Sequence, residues 1–282
     1  MGRVFVIGAS GYVGSALISH MRSLSLQVFS VGRLDSEFYL DLYTGETNLF
    51  DVITSADTVI FLAAISAPDI CRDKFELAKR VNVDMTIDII GRLLSNLVRV
   101  IFSSSDAVFG NASVSNTITD ESELSPLGEY GEMKAAVEKT FIGDNLFKVV
   151  RFSYILGRRD KYTSMLLSST HSTKAIVVFK GFERNVVALT DVVVGITKLV
   201  VMWNDFPYNR INFSGPKCIS RWEVSLLISK TLSLGLELNL SDAPNSFWKG
   251  RAKRINMESR IFSKVLGRNP LTVNENVARW VI

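Results

Sequence analysis

The feature that most constrains the fold of this chain is an alternation between short apolar runs and longer segments with helical periodicity. Each run is rich in Val, Ile and Phe, and has the composition of a strand buried on both faces of a parallel sheet. The runs lie at residues 4–7, 26–31, 58–62, 98–102 and 147–152. Segments with helical periodicity separate them, for example residues 12–24 and 75–97. This order predicts an α/β fold with a doubly wound parallel sheet, formed by residues 1–155.

The alternation becomes less even beyond residue 155. Helical segments separated by short apolar runs are predicted near residues 161–170, 190–203 and 220–232. We expect residues 156–282 to form mainly a smaller α/β lobe that binds the substrate, with some segments returning to the main sheet. Basic residues cluster at 158–161 and 249–254, and either cluster would attract an anionic substrate if it faced the cleft.

Composition restricts the class of protein. The chain has 282 residues, of which 47% are hydrophobic and 21% charged, as expected for a globular protein with ample core. Its formal charge of +4 comes from dispersed basic residues, so we expect anionic small molecules and no nucleic acid. With 2 cysteines and 2 histidines, we expect no metal site and a reducing, cytoplasmic setting. We recognise no secretory signal or bilayer-spanning stretch, and therefore expect no membrane association.

A glycine-rich turn stands at the first junction between strand and helix. Its glycines recur at a spacing of i, i+3 and i+6. Glycine allows a tight turn and a close approach of the backbone to a pyrophosphate, which binds the amides at the helix N-terminus. At this junction the pattern favours a Rossmann-like dinucleotide site over a merely tight turn. The residues expected to contact the cofactor here are Gly8, Ser10, Gly11, Tyr12, Val13 and Gly14.

The end of the second apolar run bears on the choice of cofactor. Sites that prefer NAD normally place a carboxylate there, which binds the ribose 2′-hydroxyl. This chain has Gly32 followed by Arg33, whose guanidinium is suited to bind a 2′-phosphate. We therefore expect NADP, and NAD remains the alternative because Asp35 is close by.

Tyr130 and Lys134 are the strongest indication of chemistry. The spacing of i and i+4 places both side chains on one face of a predicted helix. A neighbouring ammonium favours phenolate, and lowering the phenol pKa by about 3 units requires roughly 4 kcal/mol. Tyr130 would then exchange a proton near neutral pH. Taken alone, however, the pair is more typical of an ordinary helix surface.

The glycine turn, the strand end at residues 102–110 and the Tyr130/Lys134 pair resemble the extended short-chain dehydrogenase/reductases, the NAD-dependent epimerase/dehydratase superfamily, in order and spacing. The resemblance implies that Ser105 works with Tyr130 and Lys134 in catalysis. Members of that family often pair through helices, so a homodimer is one state that the resemblance allows. It also implies further cofactor contacts from Asp41, Leu42, Leu62, Ala63, Ala64, Asn82, Ser103, Tyr130, Lys134 and Phe152.

Within the superfamily the chain most resembles the nucleotide-sugar 4-ketoreductases that are similar to dTDP-4-dehydrorhamnose reductase. The 4,6-dehydratases follow the strand-end hydroxyl with Asp and Glu, whereas this chain has Asp106 and Ala107 and so lacks the second carboxyl needed for elimination. Epimerases and dehydratases usually have Asn at the position of Ser153 or Tyr154. Asp106, Ala107 and Arg184 are the implied substrate contacts. Arg184 would meet the diphosphate, and a solvated surface arginine is the alternative.

The predicted reaction is NADPH-dependent reduction of the 4-keto group of a nucleotide-activated sugar. Tyr130 would donate the proton, assisted by Ser105 and Lys134. An NAD-dependent nucleotide-sugar 4-epimerase with the same three residues is the first alternative. A non-catalytic NADP-binding regulator is the second, although such proteins commonly lose the Tyr or the Lys.

Overall fold

The computed structural model describes residues 2–112, 116–171 and 175–281. The strands of these residues are β1 (Val4–Ile7), β2 (Val28–Gly32), β3 (Phe38–Tyr39), β4 (Thr58–Phe61), β5 (Arg99–Ser105), β6 (Phe147–Phe152), β7 (Ile155–Leu156), β8 (Ile176–Phe179), β9 (Glu183–Asn185), β10 (Val187–Ala188), β11 (Arg210–Phe213), β12 (Cys218–Ser220), β13 (Leu238–Ser241) and β14 (Arg254–Ile255). The α-helices are α1 (Tyr12–Ser23), α2 (Pro68–Asp73), α3 (Phe75–Lys79), α4 (Met85–Ser95), α5 (Glu129–Phe141), α6 (Lys161–Ser168), α7 (Leu189–Val201), α8 (Arg221–Thr231), α9 (Arg260–Leu266) and α10 (Val273–Ala278).

The main sheet has seven strands in the order β11-β6-β5-β4-β1-β2-β3, and every pair of neighbours is parallel. This confirms the predicted Rossmann-like α/β fold. The strand order reverses between β1 and β4, so the helices that follow these two strands leave on opposite sides of the sheet. A crevice forms there at the carboxyl ends of the strands, which is where open α/β sheets bind their ligands.

Both faces of the main sheet are buried, because alternate residues of each strand point to opposite sides. In β1, Val4 and Val6 belong to one apolar core, whereas Phe5 and Ile7 belong to the other. Helices α1, α7 and α9 cover the first face, and α4 and α5 contribute to the second. Each fully buried aliphatic side chain contributes about 1.5–3 kcal/mol relative to exposure. This two-sided burial explains why the strands appear in the sequence as nearly continuous apolar runs.

The helical segment predicted over residues 75–97 is interrupted in the structure. Helices α3 and α4 are separated by a π-helical turn at Arg80–Asp84, and α2 precedes them. Asn82 lies in this turn and bonds to Ile65, whose backbone N donates to Oδ1 at 2.8 Å and whose O accepts from Nδ2 at 2.9 Å. π turns occur often at functional sites. Here the Asn82 side chain connects the π turn to the loop that follows β4.

Some elements of the C-terminal half belong to the main sheet and its covering helices, and the rest form a separate lobe. Strand β11 pairs with β6 at the edge of the main sheet, and α7 and α9 pack on that sheet. The remaining elements form the small sheets β12-β9-β14, β13-β8 and β10-β7, with a separate core beneath α6, α8 and α10. The boundary at residue 155 stays a prediction. Among the helices of the described residues, none is long and apolar enough to cross a membrane.

Candidate active site

A cavity of about 960 Å³ lies at the carboxyl ends of the main-sheet strands, and residues of the C-terminal lobe complete its wall. This volume is at the upper end of the range of about 300–1,000 Å³ that is usual for ligand pockets. Most of the predicted site residues line it: Gly8, Ser10, Gly11, Tyr12, Val13, Gly14, Arg33, Leu62, Ala63, Ala64, Ser103, Ser105, Asp106, Ala107, Tyr130, Lys134, Phe152 and Arg184.

The glycine turn forms one end of the cavity. Gly8 has a φ of +89°, and a Cβ there would lie 2.7 Å from the backbone N of Ala63. A Cβ on Gly14 would lie 2.3 Å from the carbonyl oxygen of Gly8. Gly11 precedes α1, whose first turn has neither a side-chain cap nor an acidic residue. The first-turn amides and the positive end of the helix dipole are therefore available to an anion, as pyrophosphate binding requires.

Three of the predicted cofactor contacts lie outside the cavity lining. Asn82 is 2% exposed and lies behind the wall, where its side chain fixes the loop after β4 through Ile65. The carboxylate of Asp41 accepts a bond from the backbone N of Tyr43 at 2.7 Å. Leu42 is buried in the core beneath the sheet. The structure therefore does not bring these residues to the cavity, and direct contact with a cofactor stays a prediction for them.

Helix α5 positions Tyr130 by a close approach to the end of β5. A Cβ on Gly131 would lie 2.5 Å from the carbonyl oxygen of Ala107, so only glycine permits this approach. Ser105 ends β5, where its hydroxyl accepts from the Ala107 backbone N at 3.2 Å and donates to Asp106 at 3.1 Å. Tyr130, Ser105 and Lys134 thereby face one cavity from two neighbouring elements.

Lys134 is buried beneath the cavity floor, with 2% of its surface exposed. Its ammonium donates a hydrogen bond of 2.8 Å to the carbonyl oxygen of Ser103 and lies 4.6 Å from the centre of the Phe102 ring. Burial lowers the pKa of Lys134 to about 8, and the charge of Glu138 opposes that shift. The distance from the ammonium to the centre of the Tyr130 ring is 6.0 Å.

The pKa of Tyr130 is raised, not lowered as the sequence predicted. Burial of the phenol is the largest cause, followed by the charges of Asp106 and Cys71, and a hydrogen bond with Ser105 opposes them. That prediction is wrong for this structure because burial disfavours the phenolate, and because Lys134 directs its ammonium to the Ser103 carbonyl and not to the phenol. Tyr130 is therefore a neutral phenol near pH 7, which is the protonation state of a proton donor.

Asp106 and Arg184 form a buried ion pair in the wall of the cavity. Arg184 Nε lies 3.0 Å from the Asp106 carboxylate. Its two terminal nitrogens donate to the carbonyl oxygens of Glu183, Ala252 and Lys253, at 2.7–3.1 Å. Burial raises the pKa of Asp106, and Arg184 opposes that shift. Arg184 is thus not a solvated surface arginine, and its contact with a diphosphate stays a prediction.

Several lining residues were missed by the sequence reasoning. Arg221 begins α8, and the sequence around it carries a recognisable signal, since Ser220 and Glu223 form a capping box. Arg251 belongs to a basic cluster already noted, and it binds both carboxylate oxygens of Asp69 at 3.0 and 2.5 Å. Lining residues without any comparable signal are Ser66, Pro68, Gly110, Leu127, Phe182, Phe247, Gly250, Ala252 and Ile255. Within the described ranges, no cluster of His, Cys, Asp or Glu is suited to hold a metal ion.

Solved structures share this fold over nearly the whole chain. The chain is similar to MoeE5 in complex with UDP-glucuronic acid and NAD, with a TM-score of 0.83, 25% identity and 99% of each chain covered. It is also similar to a dTDP-4-dehydrorhamnose reductase from Clostridium acetobutylicum ATCC 824, with a TM-score of 0.84, 16% identity, and 99% and 98% coverage. A UDP-galactose 4-epimerase gives a TM-score of 0.76 at 21% identity, with 98% and 96% coverage.

The family assignment follows from sequence as well as fold. A model of the NAD dependent epimerase/dehydratase family matches residues 4–204, which include the glycine turn, the strand end at Ser105 and the Tyr130/Lys134 pair. The match thus spans most of the chain and the part of it that carries the cavity floor. The chain belongs to the NAD-dependent epimerase/dehydratase family.

Proposed function

We propose that this protein reduces the 4-keto group of a nucleotide-activated sugar with NADPH. The observation that carries the proposal is the position of Arg33, which follows β2 and lines the cavity where an NAD site would offer a carboxylate. Asp35, the alternative ligand for a ribose hydroxyl, is not among the lining residues. A guanidinium at this position favours a 2′-phosphate, and NADP is the usual cofactor of reductive reactions.

The residues that line the cavity support binding of a dinucleotide. The glycine turn would hold the pyrophosphate, Arg33 the 2′-phosphate, and Lys134 the nicotinamide ribose. Ala63 and Ala64 offer small side chains that leave room for the cofactor. When bound, NADPH supplies a hydride to the carbonyl carbon of the substrate.

Tyr130 supplies the proton in this proposal. Its raised pKa keeps the phenol protonated, so it can donate to the alkoxide oxygen as negative charge develops there. Ser105 would donate a hydrogen bond to the same oxygen after releasing its present bond to Asp106. The ammonium of Lys134 would stabilise the tyrosinate that remains after turning toward it from its present bond to the Ser103 carbonyl. Ala107 lines the cavity without a carboxyl, so elimination of water lacks an acid or base at that position.

A nucleotide-sugar 4-epimerase is the second candidate. Support for it comes from the likeness to MoeE5, whose structure holds UDP-glucuronic acid together with NAD, the cofactor that an epimerase of this kind would use. An epimerase would use Tyr130 first as a base and then as an acid, and would consume no free cofactor. The two candidates therefore differ in the fate of NADPH.

The test incubates the purified protein with NADPH, and in parallel with NAD, and supplies to each a panel of nucleotide 4-keto-6-deoxysugars together with UDP-glucuronic acid and UDP-glucose. The proposal expects loss of NADPH absorbance in proportion to the 4-hydroxy product formed. Interconversion of the C4 epimers without net loss of NADPH overturns it in favour of the epimerase. No turnover with any substrate of the panel overturns both.

A further inference from the structure

We propose that Arg221 binds an oxyanion of the nucleotide-sugar substrate in the C-terminal lobe, a role that no motif of the sequence assigned to it. The proposal rests on the proposed function only in taking a nucleotide sugar as the ligand. Two groups of such a ligand carry this chemistry, the diphosphate and the carboxylate of an acidic sugar. Arg221 lines the same cavity as Tyr130.

Aromatic rings hold the guanidinium of Arg221 in place. Its Cζ lies 4.0 Å from the centre of the Phe182 ring and 4.8 Å from the centre of the Tyr162 ring. Such contacts satisfy the faces of a guanidinium and leave the N–H groups at its edge to bind a planar or tetrahedral anion. Tyr162 is itself fixed by a 2.7 Å hydrogen bond with Ser225. The arginine is therefore preorganised, which reduces the entropy lost on binding.

Arg221 is half-buried, and one of its donors lacks an acceptor. Its Nε is buried, and none of the residues that the structure describes places an acceptor within hydrogen-bonding distance of it. Burial lowers the pKa of Arg221, and Asp160 is the carboxylate that opposes this shift. Asp160 already accepts from the Tyr154 hydroxyl at 2.8 Å and the Tyr162 amide at 3.0 Å. A buried donor without an acceptor is unfavourable, so a ligand that supplies one gains affinity.

The other arginines of the lobe that line the cavity are already paired with carboxylates. Arg184 is paired with Asp106 and Arg251 with Asp69. Arg184 also lies over the Phe182 ring, at 4.4 Å from its centre. Burial is the main cause that lowers the pKa of Arg221, and the charge of Arg184 acts in the same direction. Two guanidinium groups that share one ring repel each other, and an oxyanion beside them would remove that repulsion.

The start of helix α8 fixes the backbone beneath this side chain. Ser220 and Glu223 form a capping box, and the backbone N of Arg221 donates to the carbonyl oxygen of Phe182 at 2.9 Å. Arg221 thus occupies the first turn of an 11-residue helix, where the helix dipole also favours an anion. The backbone hydrogen bond between Arg221 and Phe182 thus connects the start of α8 to the residue whose ring covers the guanidinium.

The experiment measures binding of UDP, dTDP, UDP-glucose and UDP-glucuronic acid to the whole protein by calorimetry, and needs no turnover. Arg221→Gln is expected to raise the Kd for nucleotide diphosphates about tenfold or more, the effect of losing a charge-assisted hydrogen bond. The Kd for NADPH should stay within about twofold, which also reports that the variant is folded. Arg221→Lys keeps the charge and loses the planar set of N–H donors. Its Kd for nucleotide diphosphates should therefore fall between those of the wild type and Arg221→Gln.

Arg260→Gln is the matched control, since this arginine belongs to the same half of the chain and its side chain is 77% exposed. It should leave every Kd unchanged. A loss for UDP and dTDP assigns the oxyanion to the diphosphate, and a loss confined to UDP-glucuronic acid assigns it to the sugar carboxylate. Unchanged affinity of Arg221→Gln for all four ligands overturns the proposal, as does a wild-type protein that binds none of them. Absence of reductase activity with Arg221-dependent binding would reject only the proposed function.

Discussion

The end of the cavity that we assign to the cofactor is built mainly from the backbone of consecutive residues. The end that we assign to the substrate is built from charged and aromatic side chains far apart in the chain. Gly8, Gly11 and Gly14 create the first through local geometry and the start of α1. At the second end, Asp106 reaches Arg184, and Asp69 reaches Arg251. Local geometry is determined over a few residues and can be read from their order. Pairing between distant charges depends on the complete fold, and it decides which arginine is still able to bind a ligand.

Tyr130→Phe should cause the largest loss of activity and should leave ligand binding at both ends of the cavity unchanged. It removes the donated proton, so kcat should fall by about 10²–10⁴, the usual contribution of a general acid. The Kd values for NADPH and UDP should stay within about twofold. Steady-state kinetics and calorimetry measure both, with Tyr43→Phe as control because Tyr43 is 56% exposed. An undiminished kcat in Tyr130→Phe would exclude the proposed role of the phenol.

Lys134, which lies between the two ends of the cavity, should make the unfolding free energy of the protein depend on pH. Its pKa is about 8 in the fold against an ordinary 10.5, so between these values the unfolded chain binds more protons and stability rises with pH. Lys134→Met lacks this gain. The unfolding free energy of the wild type relative to Lys134→Met should therefore increase by up to roughly 3 kcal/mol from pH 7.5 to pH 10.5.

Urea denaturation at several pH values measures this difference. Burial also lowers the pKa of Lys148 to about 8, but that lysine is present in both proteins and its contribution cancels. A difference that does not change with pH would mean that Lys134 carries no lowered pKa.

Arg33→Ser should act on the cofactor end alone. Loss of a hydrogen-bonded charge of about 1.5–3 kcal/mol predicts an increase of roughly 10- to 150-fold in the KM for NADPH. The KM for NADH should change little, because NADH has no 2′-phosphate. The Kd for UDP should also stay the same. Equal losses with NADPH and NADH would contradict the assignment of Arg33 to the 2′-phosphate.

Gly14→Ala should give a smaller loss of NADPH affinity, again at the cofactor end. The added methyl would lie 2.3 Å from the Gly8 carbonyl oxygen, and overpacking of this kind costs about 1–3 kcal/mol. We expect a lower unfolding free energy and weaker NADPH binding, with retained UDP binding. Gly143→Ala is the matched control, since no heavy atom lies within 4 Å of a Cβ there. Similar behaviour of the two variants would show that the turn needs no close approach.

The sequence predicted the parts of the molecule that depend on local pattern. The run at residues 147–152 is strand β6, and the glycine turn lies between β1 and α1, because burial on both faces and tight turns leave direct marks in the sequence. It did not predict the π turn at Arg80–Asp84, in which the Asn82 side chain makes two hydrogen bonds with the backbone of Ile65.

Electrostatic properties were the least predictable part of the candidate site. The pKa of Tyr130 is set first by burial, which no i, i+4 spacing reports. Arg184 was recognised and Arg221 was not, although the structure occupies the donors of Arg184 with backbone carbonyls and Asp106. Asp41 and Leu42 carry a motif of the family yet lie outside the cavity lining. Contacts between residues that are far apart in the chain leave no local pattern, as with Arg184 and Lys253 at a separation of 69.

Transfer of deuterium from the cofactor tests the central claim most directly. NADPH that carries deuterium at its transferable C4 position is incubated with the protein and an active 4-keto sugar nucleotide, and the product is analysed by mass spectrometry and NMR. The account predicts a single deuterium at the sugar C4 of every product molecule, and no labelled product with Tyr130→Phe above the slow residual rate. Product that contains no deuterium, or a C4 epimer formed while the labelled NADPH remains intact, would contradict it.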